Sequence, residues 1–158
     1  MAIEIERKFL IKDDSWRAQA DAGTEYQQAY LVGSKTASVR VRIEGDKAFI
    51  NIKSATLGIT RQEYEYPIPM QDARAMLTEL CEQPVIEKTR YHLMHQGHEW
   101  EIDVFKGDNA GLIVAEIELD DADAEFIRPD WLGEEVSEDT RYYNVCLVKN
   151  PYKNWKAK

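Results

Sequence analysis

Charged side chains occupy every second position in several short segments of this chain, and the first such segment is EIERK at residues 4–8. Successive side chains of an extended strand point to opposite faces, so Glu4, Glu6 and Lys8 share one face. Two carboxylates separated by two residue rises, about 7 Å, repel each other unless a cation lies between or opposite them. The segment therefore predicts a strand with one apolar and one ionic face, and the ionic face suits a hard metal ion.

The same alternation recurs in later segments. The same-face charges of these segments are Arg40 with Arg42, Lys53, Arg61 with Glu63 and Glu65, Lys88 with Arg90, Glu101 with Asp103, and Glu116 with Glu118. A solvated face of an antiparallel sheet explains any one of these segments taken singly. Most of them repeat a like charge, however, and like charges on one strand are unfavourable without a partner. The recurrence favours ionic faces that turn toward a shared interior.

Strand patterns dominate the chain, and short turns separate most of them. The predicted strands are residues 2–11, 25–32, 36–44, 47–54, 59–67, 85–95, 98–106 and 111–120. Turns are predicted at Gly33, Gly45-Asp46, Leu57-Gly58, Gln96-Gly97 and 107–109, and helices at 16–20, 70–81, 122–127 and 139–148. Closure of an antiparallel meander into a barrel removes its exposed edges. We expect one α+β, mainly β domain over residues 1–158, an eight-stranded antiparallel closed barrel with flanking helices.

The balance of charge and hydrophobicity limits the classes of protein to which the chain can belong. Its formal net charge of -9 disfavours nonspecific binding to nucleic acid or to anionic membranes, because both rely on an excess of Lys and Arg. No segment approaches the roughly 18 apolar residues of a membrane span, and the N-terminal residues lack the apolar core of a secretory signal. We expect a cytoplasmic protein with neither nucleic acid nor membrane as a partner.

Cysteine and histidine residues give little support for a zinc or redox site. Cys81 and Cys146 are far apart and form no C-x-x-C pair, so they are interpreted as small buried apolar residues. His92, His95 and His98 cluster around a predicted turn. Because we identify no acidic partner in this stretch that completes a ligand set, the three histidines are interpreted as ordinary surface residues.

A closed barrel with its apolar sides outward brings the charges of these strands to one interior. The converging cations are Lys8, Arg40, Arg42, Lys53, Lys88 and Arg90, and the converging acids are Glu4, Glu6, Glu63, Glu65, Glu101, Asp103, Glu116 and Glu118. Uncompensated buried charge is costly, so such an interior requires a charged ligand. Arg and Lys bind phosphate oxygens, and carboxylates hold divalent cations that bridge to phosphates. The sequence therefore predicts a site for a linear phosphate chain, a small polyanionic substrate.

In their order and spacing these motifs resemble the CYTH superfamily, also called the triphosphate tunnel metalloenzymes, and its short bacterial inorganic triphosphatases. The motifs are E-x-E-x-K at residues 4–8, V-R-x-R at 39–42, Lys53, R-x-E-x-E at 61–65, E-K-x-R at 87–90 and E-x-E at 116–118, with a similar tail at 141–152. The resemblance implies a barrel whose tunnel binds a triphosphate together with Mg²⁺ or Mn²⁺. A homodimer is expected on the same basis.

The resemblance also implies a role for each charged group. Substrate binding is expected from Lys8, Arg40, Arg42, Lys53, Lys88 and Arg90. Metal binding is expected from Glu4, Glu6, Glu116 and Glu118, with Glu63, Glu65, Glu101 and Asp103 as further ligands or as residues that position the cations.

We expect the chain to hydrolyse inorganic triphosphate to diphosphate and phosphate. The candidate catalytic residues are Lys8 and Tyr30, of which Lys8 would protonate or position a leaving oxygen. Two alternatives stay open. One is a class IV adenylate cyclase or a hydrolase of thiamine or nucleoside triphosphate, which needs an additional pocket for the organic group. The other is a polyphosphate-binding module without turnover, which would gain nothing from so many carboxylates.

Overall fold

The computed structural model describes residues 3–55 and 59–155, which form mainly antiparallel strands. The strands are β1 (Ile3–Ile11), β2 (Thr24–Gly33), β3 (Ala37–Glu44), β4 (Lys47–Ser54), β5 (Thr60–Pro67), β6 (Ile86–His95), β7 (His98–Phe105), β8 (Ile113–Glu118) and β9 (Leu132–Glu135). The α-helices are α1 (Met70–Glu79) and α2 (Asn144–Lys149), and 3₁₀ helices span Asp14–Gln19, Gly107–Asn109, Thr140–Tyr142 and Tyr152–Asn154. Within the described ranges, no helix is long and apolar enough to cross a membrane.

Eight of the strands close into a barrel. Their order is β5, β4, β3, β2, β6, β7, β8, β1, and an antiparallel pairing of β1 with β5 completes the barrel by placing Glu4 opposite Arg61. β9 pairs with the second half of β1, so β5 and β9 follow one another along the edge of β1 that β8 leaves open. The predicted eight-stranded antiparallel barrel is confirmed. Because the barrel is closed, alternate side chains of each strand point into one interior or outward.

The apolar sides of the strands face outward, where helices and connecting segments cover them. One apolar cluster surrounds Trp100 and includes Trp16 from the first 3₁₀ helix. A second cluster lies over β2, β3 and β4, to which α1 contributes Leu77. In a third cluster, Leu147 of α2 joins Ile86 of β6, which shares its side of the strand with Lys88 and Arg90, so this cluster lies on the inward side of the barrel strands. Burial of the first two clusters on the outside leaves the ionic faces on the inside of the barrel.

The turn between β6 and β7 determines which inward charges face each other. Residues 96–97 (Gln-Gly) have positive φ values of 49° and 82°, the conformation of a two-residue hairpin turn that favours glycine. This turn aligns Arg90 with Asp103 and His92 with Glu101. The register of the hairpin is therefore set locally, by two residues whose backbone conformation matches the twist of the strands.

The segment between β8 and β9 differs from the helix predicted at 122–127. Asp121 accepts a hydrogen bond from the backbone amide of Asp123 at 2.8 Å, which makes a tight turn, and the chain then continues without regular structure. Phe126 packs its ring edge-on against Trp100, with ring centroids 5.6 Å apart. The predicted helix is wrong because the local turn and the packing of Phe126 hold this segment in an irregular path.

The tail helix predicted at 139–148 is divided into two short helices. Asp139 caps the first by accepting a hydrogen bond from the amide of Arg141 at 3.1 Å. Tyr143 then adopts an extended backbone, and its hydroxyl donates to the carbonyl of Ser137 at 3.0 Å. Because this extended residue interrupts the helical path, α2 begins only at the next position.

The ninth strand was not predicted. β9 is too short to show an alternating pattern, and an added Cβ at Gly133 would lie 3.0 Å from the carbonyl oxygen of Leu10, so its close approach to β1 requires glycine. The bounds of the eight predicted strands differ from the observed bounds by no more than two residues at either end. The turn predicted at Leu57-Gly58 lies outside the described residues.

Candidate active site

The ionic faces of seven strands line a polar cavity of about 250 Å³ inside the barrel, which we call the lumen. The lining residues are Glu4, Glu6, Arg40, Arg42, Lys53, Glu63, Glu65, Lys88, Arg90, Glu101, Glu116, Glu118 and Asn144. The structure therefore brings together nearly all of the charged residues that the sequence placed on inward faces. Asp103 lies behind this surface, with 1% of its area exposed, and Lys8 lines an adjoining cavity.

One wall of the lumen carries ion pairs that are complete within the chain. Lys88 Nζ donates to Asp103 Oδ2 at 2.7 Å, and Arg90 donates from Nε to Oδ1 at 2.8 Å and from Nη2 to Oδ2 at 2.9 Å. Burial disfavours the charged form of Asp103, but Arg90 and Lys88 outweigh burial and hold its pKa well below its usual range. Burial also lowers the pKa of Lys88 to about 8, despite the adjacent carboxylate. We call Lys88, Arg90 and Asp103 the paired wall.

A second wall, formed by β1 and β8, crowds carboxylates together. Glu6 is directly paired with Glu118 across the two strands. Single oxygens of Glu6, Glu101 and Glu116 lie within 4.8 Å of one another. Burial, together with the charges of Glu116 and Glu4, raises the pKa of Glu6 well above its usual value. We call Glu4, Glu6, Glu116 and Glu118 the acidic wall.

Glu116 differs from Glu6 because cations lie near it. Its carboxylate is 3.8 Å from Lys8 Nζ and 3.6 Å from Arg90 Nη2. Burial opposes the ionisation of Glu116, but Lys8 and Arg90 prevail and lower its pKa to about 2. Among residues 3–55 and 59–155, no Lys or Arg nitrogen lies within 4.0 Å of the Glu6 carboxylate. Glu6 is the acid of this wall that most needs an additional cation.

Lys53 connects the acidic wall to β5. Its Nζ lies 3.4 Å from Glu4 and 3.0 Å from Glu63. Burial raises the pKa of Glu4 in spite of this contact, whereas Lys53 overcomes burial at Glu63 and lowers its pKa. Burial and the charge of Glu4 also raise the pKa of Glu118. One lysine is thus divided between two acids, and the acidic wall stays short of positive charge.

The two arginines of β3 have different surroundings. Arg42 contacts Glu65 at 2.9 Å and Glu44 at 3.3 Å. Arg40 is 5% exposed, has no carboxylate within 4.0 Å in the described part of the chain, and its Nε lacks a hydrogen bond there. Because this buried guanidinium is not neutralised by a neighbour, it is the group best prepared to receive an anion.

Two uncharged residues that the sequence did not mark as functional contact side chains that line the lumen. Asn51 is fully buried and donates from Nδ2 to Glu65 Oε2 at 2.7 Å. The ring of Tyr26 lies 5.0 to 5.8 Å from three of the lumen cations. Both residues fall on inward positions of their strands; Asn51, for example, is two residues before Lys53. Their positions could therefore have been predicted from the alternation.

A second cavity of about 450 Å³ adjoins the lumen, and we call it the vestibule. The two cavities share Glu6, Arg40, Lys53 and Asn144 as lining residues. The basic residues that line the vestibule are Lys8, Lys35, Arg40, Lys53, Arg61 and Lys149. An anion approaching from this side meets a surplus of positive charge before it reaches the acidic wall.

The two predicted catalytic residues both line the vestibule. Lys8 Nζ donates to the carbonyl of Tyr142 at 3.2 Å and lies 5.5 Å from the ring centroid of Tyr143, and it also reaches Glu116 of the lumen. Tyr30 is buried in the cluster that contains Ile86, and it does not line the lumen. The structure therefore places Lys8 at the junction of the two cavities and Tyr30 farther out.

Comparison with known proteins agrees with this arrangement of motifs. The sequence profile of the CYTH domain matches residues 2–147. The chain belongs to the CYTH family. The inorganic triphosphatase of Acetivibrio thermocellus is 50% identical over 156 residues, which cover 99% of each chain. That of Nitrosomonas europaea is 38% identical over 152 residues, which cover 92% of this chain and 96% of the relative.

The fold of this CYTH protein is also found among solved structures. The crystal structure of an inorganic triphosphatase matches with a TM-score of 0.65 and 36% sequence identity, and the match covers 91% of this chain and 96% of that chain. The resemblance predicted from the order of the motifs is confirmed.

The acidic wall of this CYTH protein fits a hard divalent cation. Carboxylate oxygens are the donors that Mg²⁺ and Mn²⁺ prefer. Oxygens of Glu6, Glu101 and Glu116 lie close together, and burial, together with the charges of Glu116 and Glu4, raises the pKa of Glu6. A cation between these carboxylates would stabilise their charged forms.

Proposed function

We propose that this chain is a divalent-metal-dependent triphosphatase that hydrolyses inorganic triphosphate to diphosphate and phosphate in the lumen. One observation carries the proposal: the lumen combines arginine and lysine side chains with a group of carboxylates that lacks sufficient positive charge. A phosphate chain accompanied by a divalent cation supplies the charges that both sets require. The names of two curated relatives, both inorganic triphosphatases, support the same substrate.

Phosphate binding is assigned to the cations that line the lumen and its junction with the vestibule. These are Lys8, Arg40, Arg42, Lys53, Lys88 and Arg90. Arg40 is expected to make the strongest contact, because it is buried and no carboxylate of the described residues neutralises it. The other cations are oriented by carboxylate partners, which reduces the entropy lost when they bind the substrate.

Metal binding is assigned to the acidic wall, with Glu101 reaching into the same group of oxygens. A bound Mg²⁺ or Mn²⁺ ion neutralises phosphate charge and acts as a Lewis acid. Asp103 has both oxygens occupied by Lys88 and Arg90, so we assign it a positioning role. Glu63 and Glu65 receive the same assignment from their contacts with Lys53 and Arg42.

Lys8 is the residue best placed to assist a leaving oxygen. Its ammonium group has three donors, of which the Tyr142 carbonyl receives one at 3.2 Å. The remaining donors can stabilise or protonate an oxygen at the junction of the two cavities, while the arginines stabilise charge on the equatorial oxygens. Tyr30, in the vestibule wall, would contact only the part of a substrate that extends out of the lumen.

Phosphate release from tripolyphosphate tests the proposal. We expect Mg²⁺-dependent release by the unmodified protein, and at least about a 100-fold loss in Arg40→Ala and in Glu116→Gln, because each change removes a charge that faces the reacting phosphates. Glu135→Gln is the matched control, since Glu135 is an acid of similar size that pairs with Arg7 on the outside of the barrel. Release no faster than in EDTA, or full activity in both lumen variants, would contradict the proposal.

A nucleoside triphosphate is the second candidate substrate, and the vestibule favours it. A cavity of about 450 Å³ lies in the range that accommodates small organic ligands, and Tyr30 and Tyr143 line it. Initial rates with tripolyphosphate, ATP and thiamine triphosphate, each with Mg²⁺ and with Mn²⁺, would rank these substrates. Chromatography of the ATP products for cyclic AMP would distinguish a hydrolase from a cyclase.

A further inference from the structure

A third cavity of about 740 Å³ opens beside the β6–β7 hairpin, and we call it the hairpin mouth. His92 and Glu101 are paired across β6 and β7, and both line this mouth. Glu99 lies two positions before Glu101 and therefore on the same face of β7. One ligand atom from each of these three side chains lies within 4.8 Å of the other two. The hairpin thus supplies the acidic partners of His92 that we did not identify in the sequence.

The imidazole of His92 is oriented from its other side by Asp21. His92 Nδ1 lies 3.4 Å from Asp21 Oδ2, and Nε2 lies 3.2 Å from Glu101 Oε2. Asp21 is itself held in place, because its Oδ1 accepts hydrogen bonds from the backbone amides of Gly23 at 3.0 Å and of His92 at 3.1 Å. A histidine with one nitrogen on a fixed carboxylate and the other toward further ligands has the arrangement found around protein-bound metals.

We propose that His92, Glu99 and Glu101 bind a transition-metal cation of the Zn²⁺ class, with Asp21 as the residue that positions the imidazole. One imidazole nitrogen and carboxylate oxygens suit Zn²⁺, Co²⁺ or Ni²⁺, whereas the all-carboxylate acidic wall suits Mg²⁺. Three protein ligands leave one tetrahedral position of Zn²⁺ open, and the hairpin mouth gives ions access to it. A simple ion pair between His92 and Glu101 would leave Glu99 without a role.

Glu101 connects this cation site to the lumen. Its Oε2 lies 3.3 Å from Arg90 Nη1 and 3.2 Å from His92 Nε2. A cation bound by His92 and Glu99 competes with Arg90 for the same carboxylate. Of the residues assigned to this site, Glu101 also belongs to the group of oxygens assigned to the metal of the acidic wall, whereas His92, Glu99 and Asp21 are assigned neither to that metal nor to the substrate.

Calorimetric titration with zinc chloride, in an excess of magnesium chloride and without any substrate, tests the proposal. We expect one Zn²⁺ ion per chain in the unmodified protein, and affinity at least about tenfold weaker in His92→Ala and in Glu99→Gln. Asp21→Asn retains the oxygen that accepts the two amide hydrogen bonds, and we expect a roughly tenfold loss from it because the imidazole is no longer held. His95→Ala is the matched control on the same hairpin and should bind Zn²⁺ as the unmodified protein does.

Absorption by Co²⁺ in place of Zn²⁺ gives a second readout, in which His92→Ala should lose the visible bands of a low-symmetry site. The proposal is overturned if the unmodified protein binds no Zn²⁺ under these conditions, or if His92→Ala and Glu99→Gln bind it with unchanged affinity. An equal loss in His95→Ala would also overturn it. Should His92→Ala fail to fold, as judged by circular dichroism, Glu99→Gln decides the question, because Glu99 is exposed.

Discussion

The paired wall and the acidic wall lie in the same barrel, yet they handle buried charge in different ways. In the paired wall, Asp103 satisfies Lys88 and Arg90 with three hydrogen bonds of 2.7 to 2.9 Å. In the acidic wall, Glu6 lies among other carboxylates, and burial together with their charges raises its pKa. In the paired wall the buried carboxylate already has its counter-charges, whereas the acidic wall needs a bound cation to neutralise its carboxylates. This difference separates a carboxylate that positions cations, Asp103, from carboxylates that need a bound cation.

The comparison also explains why similar residues receive different roles. Asp103 and Glu116 are both buried acids on neighbouring strands, and the pKa of each is lowered. Asp103 is held by two cations at hydrogen-bond distance, whereas the cations near Glu116 are 3.6 and 3.8 Å away. Glu116 can therefore share its oxygens with a metal at lower cost than Asp103 can.

The largest expected effect is the loss of stability when the ion pairs of the paired wall are broken. Asp103→Asn removes the carboxylate that pairs with buried Lys88 and leaves Arg90 with only its longer contacts to Glu101 and Glu116, at 3.3 and 3.6 Å. We expect the free energy of unfolding to fall by about 3 kcal/mol. Urea denaturation followed by circular dichroism measures this change. Glu65→Gln serves as the comparison, since its partner Arg42 also contacts Glu44 and the loss should be much smaller. A loss below about 1 kcal/mol in Asp103→Asn would show that the pairing contributes little.

The next effect concerns the metal and the acidic wall. A ligand that binds only the folded state at 100 times its dissociation constant adds about 2.7 kcal/mol of stability. We expect Mg²⁺ at such a concentration to stabilise the unmodified protein by this amount and EDTA to remove the gain. In Glu6→Gln the gain should disappear, because the neutral amide replaces a ligand, and thermal melts with and without Mg²⁺ would show it. Persistence of the full gain in Glu6→Gln would exclude Glu6 as a ligand.

Without metal, we expect a smaller change in the free energy of unfolding, and this change is a gain. In EDTA, Glu6→Gln should raise the free energy of unfolding by about 1 kcal/mol, because it removes a carboxylate that is poorly compensated in the folded state. Urea denaturation of both proteins in EDTA at neutral pH measures the gain. Destabilisation in place of the gain would mean that the acidic wall is as well paired as the other wall.

The stability that Glu6→Gln gains in EDTA should depend on pH, and this dependence is the control for that prediction. The pKa of Glu6 is raised in the folded protein above its ordinary value of 4.5, so its contribution to stability is full below pH 4.5 and is lost as the pH rises through the raised pKa. The difference between Glu6→Gln and the unmodified protein should therefore increase from pH 4.5 upward. Glu116 has the opposite dependence in both proteins, because its lowered pKa contributes stability that is lost as the pH falls. A difference that is the same at every pH would contradict the raised pKa.

The smallest effect lies outside the barrel. Arg7 and Glu135 form an ion pair at 2.6 Å between side chains that are 25% and 32% exposed. Solvent screens such a pair, so Glu135→Gln should cost about 0.5 kcal/mol and leave the Mg²⁺ effect unchanged. Denaturation in the presence and absence of Mg²⁺ measures both quantities. A cost comparable to that of Asp103→Asn would remove the distinction between buried and exposed pairs.

The strands and most of the lumen could be predicted because both follow from alternation along single strands. Glu4, Glu6, Arg40 and Arg42 face inward for the same reason that their apolar neighbours face outward. Asn51 and Tyr26 also follow this alternation, but they were missed because only charged residues were interpreted as inward and functional. Tertiary packing, which brings Asn144 of α2 to the lumen, leaves no signal within one strand.

The errors have a common physical origin. The segment at 122–127 has the composition of a short helix, but Phe126 packs against Trp100, a residue of β7. β9 forms because the chain returns to the edge of β1, and Gly133 permits the close approach. His92 acquires acidic neighbours only through the register of the β6–β7 hairpin. In each case a residue distant along the chain, or across a turn, decides the outcome.

The sequence by itself determined which side of each strand is ionic, the number of strands in the barrel and the family, because these depend on spacing and order within short segments. Only the tertiary structure decided which acids are paired and which are crowded, where Lys8 and Tyr30 lie, and which residues surround His92. Interactions between charges depend on distances across strands, and strand order and register set those distances.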